Sequence, residues 1–245
     1  MSGHSHFATI KRQKAVNDKA KGNLFSKMAR TIMVAAKGGA DPDMNFKLRV
    51  EIDKARAASM PKENIDRAIA KATTEASSLE EVTYEGFGPN GLNVVVEAAT
   101  DNKNRTAQEI KNTFDKAGGS LGGPGSVLFN FDHLGFIFIK KVGDSETQML
   151  KLIDLGVEDI TENDEEIEAY VSTDKLRETR KNLEAAEFVV NDAGLTLKPK
   201  ISMKVESVEQ LQKIMNFLEA LEDFDDVLKV STNLEVPDEI AAQLK

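Results

Sequence analysis

Residues 92–98 read LNVVVEA, and the hydrophobic period of the chain changes at this stretch. Apolar and polar positions alternate here, which is typical of a β-strand with one buried face. The predicted buried face consists of Leu92, Val94, Val96 and Ala98. Asn93 and Glu97 would point away from that face. The sequence therefore predicts that a sheet begins near residue 92.

Before this strand, apolar residues recur at helical spacing. A basic, largely solvent-exposed helix is predicted from Ala8 to Lys21. A second helix would bury Leu24, Phe25, Met28, Ile32 and Ala36, and Gly38-Gly39 would end it. Asp41-Pro42 signals a turn, after which a third helix carries Leu48, Ile52 and Ala55, and a fourth begins near Pro61. These four helices predict a small bundle, and residues 73–81 read as a linker.

After residue 98 the pattern mixes helices and strands. Asn104 is expected to cap a helix, and Val127, Phe129 and Phe131 are expected to form a strand after it. From Phe136 the pattern is β-α-β-β-α-β, the ferredoxin-like series, with Ser145 as a predicted helix cap. A capped helix from Ser207 and a strand from Val227 to Val230 follow, and these elements can complete the earlier β-α-β unit.

The predicted fold class is multidomain α and α+β. An N-terminal small helical bundle precedes two ferredoxin-like α+β domains, one inserted in the other. The predicted boundaries are 1–74 for the basic helical domain, 82–133 with 202–245 for the split α+β domain, and 134–201 for the inserted α+β domain.

Charge divides the chain as sharply as periodicity does. Residues 1–74 carry a net charge of +8 and residues 75–245 carry −17, which together give the −9 of the whole chain. Clustered Lys and Arg favour a polyanionic partner, because binding to phosphates releases counterions. Alternatively, these Lys and Arg side chains only keep the exposed faces of the helices solvated and bind no partner. Their recurrence on successive helices favours nucleic acid, and the predicted contact residues are Lys11, Arg12, Lys14, Lys27, Arg30, Arg49, Lys54, Arg56 and Lys62.

Catalytic and metal-binding residues are not predicted. The chain has no Cys and three His, and His133 lies in a predicted turn with no evident nucleophile. The acidic runs at 162–168 and 219–226 are interpreted as solvated faces. The glycine cluster at 118–125 follows a helix and precedes a strand, the reverse of a phosphate cradle, so a helix stop is favoured. A metal-dependent enzyme is the least favoured interpretation, and no cofactor is expected.

The cellular location is predicted from hydropathy. No apolar run approaches the roughly 20 residues that a membrane-spanning helix needs, and the N-terminus lacks the apolar core of a signal peptide. We expect a cytoplasmic protein with no membrane contact.

Short motifs in a fixed order resemble those of the YebC/PmpR family. In the N-terminal part they are Gly3-His4-Ser5, Ile10-Lys11, Asp41-Pro42, Leu48-Arg49, Ile52-Asp53-Lys54-Ala55-Arg56 and Met60-Pro61-Lys62. Further along they are Asn64-Ile65-Asp66-Arg67, Tyr84-Glu85-Gly86, Gly88-Pro89, Thr100-Asp101-Asn102, Asn104-Arg105-Thr106 and Gly118-Gly119 to Gly125-Ser126-Val127. The chain departs from the family at His6-Phe7, where Lys-Trp is typical, and at Arg12-Gln13, where His-Arg is common.

This resemblance implies a three-domain, non-enzymatic, cytoplasmic binder of nucleic acid. Bacterial members are described as probable transcriptional regulators that bind DNA. Other relatives, including a mitochondrial translational activator, act on the ribosome, and some are implicated in relieving stalled translation. The expected partners are therefore DNA, ribosomal RNA or both. Protein contacts are expected through the acidic α+β domains.

Overall fold

The computed structural model describes residues 18–73, 79–162 and 166–244. Within these ranges the chain forms two compact units. One unit contains residues 18–73, 79–130 and 201–244, and the other contains the described residues of 131–200. The chain thus leaves the first unit after Asn130 and returns to it at Ile201. The predicted helix from Ala8 lies mostly outside the described residues.

Residues 18–73 form three helices around one apolar core. They are α1 (Asp18–Ala36), α2 (Phe46–Ala57) and α3 (Lys62–Thr73). The side chains of Ile32, Leu48, Ile52 and Ile65 are each at most 4% exposed and pack together. Helix α1 runs through Gly22, so the end of the helix predicted to stop at Lys21 is continuous with the second predicted helix. The predicted helical stripes are confirmed for Ile32, Ala36, Leu48, Ile52 and Ala55, which the core buries. The prediction was wrong for Leu24, whose side chain is 42% exposed.

The same unit contains a four-stranded antiparallel sheet of order β3-β1-β2-β9. Its strands are β1 (Glu80–Phe87), β2 (Asn93–Thr100), β3 (Ser120–Leu121) and β9 (Val227–Thr232). Two helices, α4 (Lys103–Lys116) and α7 (Val208–Glu222), pack together through an edge-to-face contact of Phe114 and Phe217, whose ring centroids lie 5.0 Å apart. Strands β8 (Met203–Lys204) and β10 (Leu234–Glu235) form a parallel pair, and a short helix α8 (Asp238–Ala241) follows.

Both faces of β2 are buried, which differs from the single buried face predicted for residues 92–98. Val94, Val95 and Val96 are each 0% exposed. Glu85 lies beside Val95 on the neighbouring strand, and its carboxylate holds the segment 125–128. The second face is therefore covered by a loop from the same unit.

The unit of residues 131–200 contains its own antiparallel sheet, of order β5-β6-β4-β7. Its strands are β4 (Phe131–Lys140), β5 (Asp159–Glu162), β6 (Glu166–Ser172) and β7 (Val190–Pro199). Helices α5 (Ser145–Asp154) and α6 (Leu176–Ala185) connect them. The fully buried core includes Ile137, Ile139, Leu152, Ile167 and Leu183. The β-α-β-β-α-β element order predicted from Phe136 onward is the order observed.

Several local predictions were wrong. The strand predicted through Val127, Phe129 and Phe131 does not form before Phe131, the first residue of β4. A 3-10 helix spans Leu128–Asn130 instead, because the N–H groups of Val127 and Leu128 donate to Glu85 and not to a neighbouring strand. Strand β1 begins at Glu80, inside the stretch interpreted as a linker.

Two predicted helix caps are also shifted by one or two residues. Asn102, not Asn104, caps α4, and Asp144, not Ser145, caps α5. In each case the earlier residue has the extended backbone that lets its side chain accept a bond from the first turn. The cap predicted at Ser207 is confirmed, since its hydroxyl accepts from the N–H of Gln210.

Gly86 allows β3 to approach β1. A Cβ at this position would lie 2.6 Å from the carbonyl oxygen of Ser120 and 2.7 Å from the ring of Phe114. We expect Gly86→Ala to lower the free energy of unfolding by about 2 kcal/mol, because the backbone carbonyl cannot move away without breaking the strand pair. Urea denaturation checks this. Gly123→Ala is the matched control, since no atom lies within 4 Å of its added Cβ, and equal effects of the two changes would contradict the prediction.

Candidate nucleic-acid interface

Two of the predicted contact cations lie where α1 meets the sheet. Nη1 of Arg30 donates to Oδ1 of Asp226 at 2.5 Å and to the carbonyl oxygen of Ala99 at 3.0 Å. The ammonium group of Lys27 donates to the carbonyl oxygen of Glu222. These contacts attach α1 to the ends of β2 and α7. The side chain of Arg30 is only 24% exposed, and its guanidinium group helps to hold α1 against the sheet.

Asp226 is the centre of this contact. Its second carboxylate oxygen accepts from the hydroxyl groups of Thr106 (2.7 Å) and Thr100 (3.0 Å), and from Nη2 of Arg105 (2.8 Å). Burial acts to raise the pKa of Asp226, but the bonds from Thr106, Arg105 and Thr100 and the charge of Arg30 outweigh it and lower that pKa to about 2. Asp226 is therefore ionised at neutral pH. It links α1, β2 and α4 to the turn that precedes β9.

Helix α2 begins at a turn that fixes the position of Arg49. The side chain of Asn45 caps the helix by accepting from the N–H of Leu48, and its amide group donates to the carbonyl oxygens of Ala35 and Gly39 at 2.8 and 2.7 Å. Nε of Arg49 donates to the carbonyl oxygen of Pro42 at 3.0 Å. The guanidinium group is thereby held against the turn that precedes its own helix.

The other predicted cations of α2 and α3 differ in their exposure. Nζ of Lys54 lies 3.2 Å from Glu51, and a guanidinium nitrogen of Arg56 lies 3.7 Å from Asp53. Lys62, at the first position of α3, is exposed. The Arg56–Asp53 pair is exposed and is worth about 0–1 kcal/mol, so it leaves Arg56 available to an external anion. The side chains of Lys54 and Glu51 are only 31% and 20% exposed.

Two family models cover this chain almost completely. The N-terminal domain of the TACO1/YebC protein matches residues 5–75, and the second and third domains of TACO1/YebC match residues 79–234. The chain belongs to the TACO1/YebC family. The resemblance inferred from its motifs is thereby confirmed.

Relatives of this TACO1/YebC chain match it over their full length. A probable transcriptional regulatory protein of Thermoanaerobacter pseudethanolicus is 44% identical over 98% of this chain and 99% of its own. One from Syntrophomonas wolfei is 41% identical over the whole of both chains. The crystal structure of a conserved hypothetical protein from Aquifex aeolicus superposes with a TM-score of 0.83 at 41% identity, covering 93% of this chain and 95% of its own. The mixed α and β architecture with antiparallel sheets is therefore shared with a solved relative.

The structure brings some of the predicted contact residues of the TACO1/YebC chain together and leaves others apart. Lys11, Arg12 and Lys14 lie outside the described residues. Arg49 and Arg56 line one open groove on α2, whereas Lys27 and Arg30 lie at the contact with the sheet. Their role in binding stays a prediction. Within the described ranges, no helix combines the length and apolar content that crossing a membrane requires.

Sequence reasoning missed the buried carboxylates of the TACO1/YebC chain. The acidic runs were interpreted as solvated, yet Asp226 is 6% exposed and Glu168 is 5% exposed. Burial raises the pKa of Glu168, despite a hydrogen bond from Tyr170. Glu85, in the Tyr84-Glu85-Gly86 motif, is a third buried carboxylate, at 5% exposed. Its partners lie 40 or more residues away, so no local pattern marks it.

Proposed function

We propose that this protein is a transcriptional regulator that binds DNA through its basic helical domain. The observation that carries the proposal is the set of exposed cations on α2 and α3, which belong to a domain of net charge +8 in a chain of net charge −9. Lys47, Arg56, Lys62 and Arg67 are all exposed there. The names of the full-length relatives support a regulator, and phosphate is the anion that such clusters favour.

The acidic part of the chain has a different role in this proposal. Its −17 charge repels phosphate, so it orients the helical domain on the nucleic acid and offers surfaces for protein contacts. In the proposed arrangement the helical bundle precedes two ferredoxin-like domains, one inserted in the other. The protein works in the cytoplasm by binding alone, with no reaction and no cofactor.

Binding to duplex DNA at several salt concentrations tests the proposal. Affinity for a short fluorescein-labelled duplex, followed by fluorescence anisotropy, is expected to fall steeply as salt rises, because each phosphate contact releases counterions. Lys62→Ala is expected to weaken binding on every sequence and to reduce the salt slope by about 1. Lys213→Ala, on the exposed side of α7, is the matched control and should change neither quantity.

Absence of duplex binding at low salt would contradict the proposal. Ribosome co-sedimentation at the same salt concentrations distinguishes the alternative that the family resemblance implies. Sedimentation with ribosomes and no affinity for duplex DNA would assign the cationic surface to ribosomal RNA and translation.

A further inference from the structure

We infer that the groove between Arg49 and Arg56 on α2 holds one phosphodiester group of the bound nucleic acid. This inference rests on the proposed function and assigns its principal phosphate site. The groove has a volume of about 360 Å³ and is lined by Pro42, Asp43, Arg49, Ile52, Asp53 and Arg56. It lies entirely within the helical part of the first unit.

Helical spacing places the charged groups on one side of α2. Positions 49, 53 and 56 are separated by four and three residues, so their side chains follow each other along one face of the helix. Ile52 borders the same groove with a side chain that is otherwise in the core. Two guanidinium groups thus face one cavity across about two helical turns.

Arg49 is oriented before any ligand binds. Its Nε donates to the carbonyl oxygen of Pro42 at 3.0 Å, and its Nη2 donates to the carbonyl oxygen and to Oδ1 of Asp43 at 3.1 and 3.0 Å. Within the described residues, no group accepts from its Nη1. An arginine held in this way loses little side-chain entropy on binding, and its remaining N–H groups can donate to a phosphate.

The turn that orients Arg49 is itself fixed. The N–H of Asp43 donates to the side chain of Asp41 at 2.8 Å, and the N–H of Asn45 donates to the carbonyl oxygen of Asp41 at 2.9 Å. Asn45 then caps α2 and ties it to the end of α1. The carbonyl groups that receive Arg49 therefore belong to a rigid segment.

Each arginine now faces a carboxylate that an incoming phosphate can replace. The Asp43 side chain is 90% exposed, and the Asp53 carboxylate lies 3.7 Å from Arg56. Exposed pairs of this kind contribute about 0–1 kcal/mol, whereas phosphate accepts paired, charge-assisted bonds from guanidinium groups. Asp43 and Asp53 thus act as internal competitors that lower the affinity of the groove for anions.

A purely structural role of Arg49, as a brace for the turn at 41–45, predicts different results. A brace would affect the melting temperature and leave the affinity of the folded protein unchanged. It would also give Arg56 no role, because Arg56 makes no bond to that turn. Variants of Arg49 and Arg56 that keep the positive charge separate the two roles.

The test measures affinity for the labelled duplex, and in parallel for ribosomes, with variants of the full chain. Arg49→Lys and Arg56→Lys are each expected to lower affinity about fivefold while keeping the charge, because Lys cannot donate in a paired geometry. Arg177→Lys, at an exposed position on α6 outside the helical domain, is the matched control and should leave affinity within about twofold. Arg56→Lys carries the test if Arg49→Lys alters the melting temperature.

Removing an internal competitor should have the opposite effect. Asp43→Asn is expected to raise affinity about threefold more than Asp66→Asn, which removes the same charge from an exposed site on α3. In an Arg49→Lys background this additional gain should disappear. Unchanged affinity in both Arg→Lys variants, with wild-type binding intact, would overturn the phosphate site and leave the proposed function standing. If the wild type binds neither partner, the proposed function fails and this inference fails with it.

Discussion

Replacing Asp226 by Asn is expected to lower the free energy of unfolding by about 3 kcal/mol, because it leaves two guanidinium groups facing a neutral amide. The carboxylate accepts from Arg30, Arg105, Thr100 and Thr106. Its side chain is 8% exposed, whereas those of Arg30 and Arg105 are 24% and 47% exposed. Water can therefore solvate the arginines in part, which keeps the loss at the lower end of the range for a broken buried pair.

Urea denaturation of the two proteins at neutral pH measures this loss. Asp225→Asn is the matched control, because Asp225 precedes Asp226 in the chain and is exposed. The control should change the free energy of unfolding by less than about 0.5 kcal/mol. A similar small change in Asp226→Asn would show that the Asp226 carboxylate adds little to the attachment of α1 to the sheet.

The lowered pKa of Asp226 also predicts how the stability difference between the wild type and Asp226→Asn depends on pH. The pKa of Asp226 falls from about 3.9 in the unfolded chain to about 2 in the folded protein. A lowered folded pKa means that the stabilisation is complete above pH 4 and is lost as the pH falls towards 2. The stability difference between wild type and Asp226→Asn should therefore shrink by roughly 2 kcal/mol between pH 5 and pH 2. A difference that stays constant over this range would contradict the assigned pKa.

The regular elements of this chain could be predicted because their patterns are local. Helical stripes and strand alternation repeat within a few residues, and each marks the face that the core buries. Strand β1 escaped prediction because the acidic residues Glu80, Glu81 and Glu85 hide its alternation. Nothing in the sequence of β1 itself indicates that the side chain of Glu85 points into the interior.

The contacts that organise the candidate site could not be predicted, because they join distant parts of the chain. Arg30 and Asp226 are separated by 196 positions. Before the fold is known, Arg30 is one more cation on a basic helix, and Asp226 is one more acid in an acidic run. Only the pairing of β2 with β9 brings Asp226 to the end of β2, where Thr100 and Ala99 lie. Charge counting therefore indicates a basic domain but cannot identify which cations remain available to a partner.

The largest stability loss is expected from Glu85→Gln, at roughly 4 kcal/mol. Glu85 is 5% exposed, and its carboxylate accepts from three backbone N–H groups: Gly125 at 2.6 Å, Val127 at 2.9 Å and Leu128 at 2.8 Å. Burial acts to raise the pKa of Glu85, but these three bonds outweigh it, so the pKa is lowered and the group is ionised. Gln has the same shape, yet its amide nitrogen would point a donor at N–H groups that are themselves donors.

Either orientation of the substituted side chain therefore leaves at least one N–H group without an acceptor beneath the loop. Amide hydrogen exchange at Val127, followed by NMR, should become faster by more than the global loss of stability explains, because the loop opens separately from the sheet. Glu81→Gln on the same strand is the matched control, since its side chain is 59% exposed. If Val127 stayed as protected as in the wild type, the glycine-rich segment would have to be held by its own turns, and Glu85 would have no part in covering the second face of the sheet.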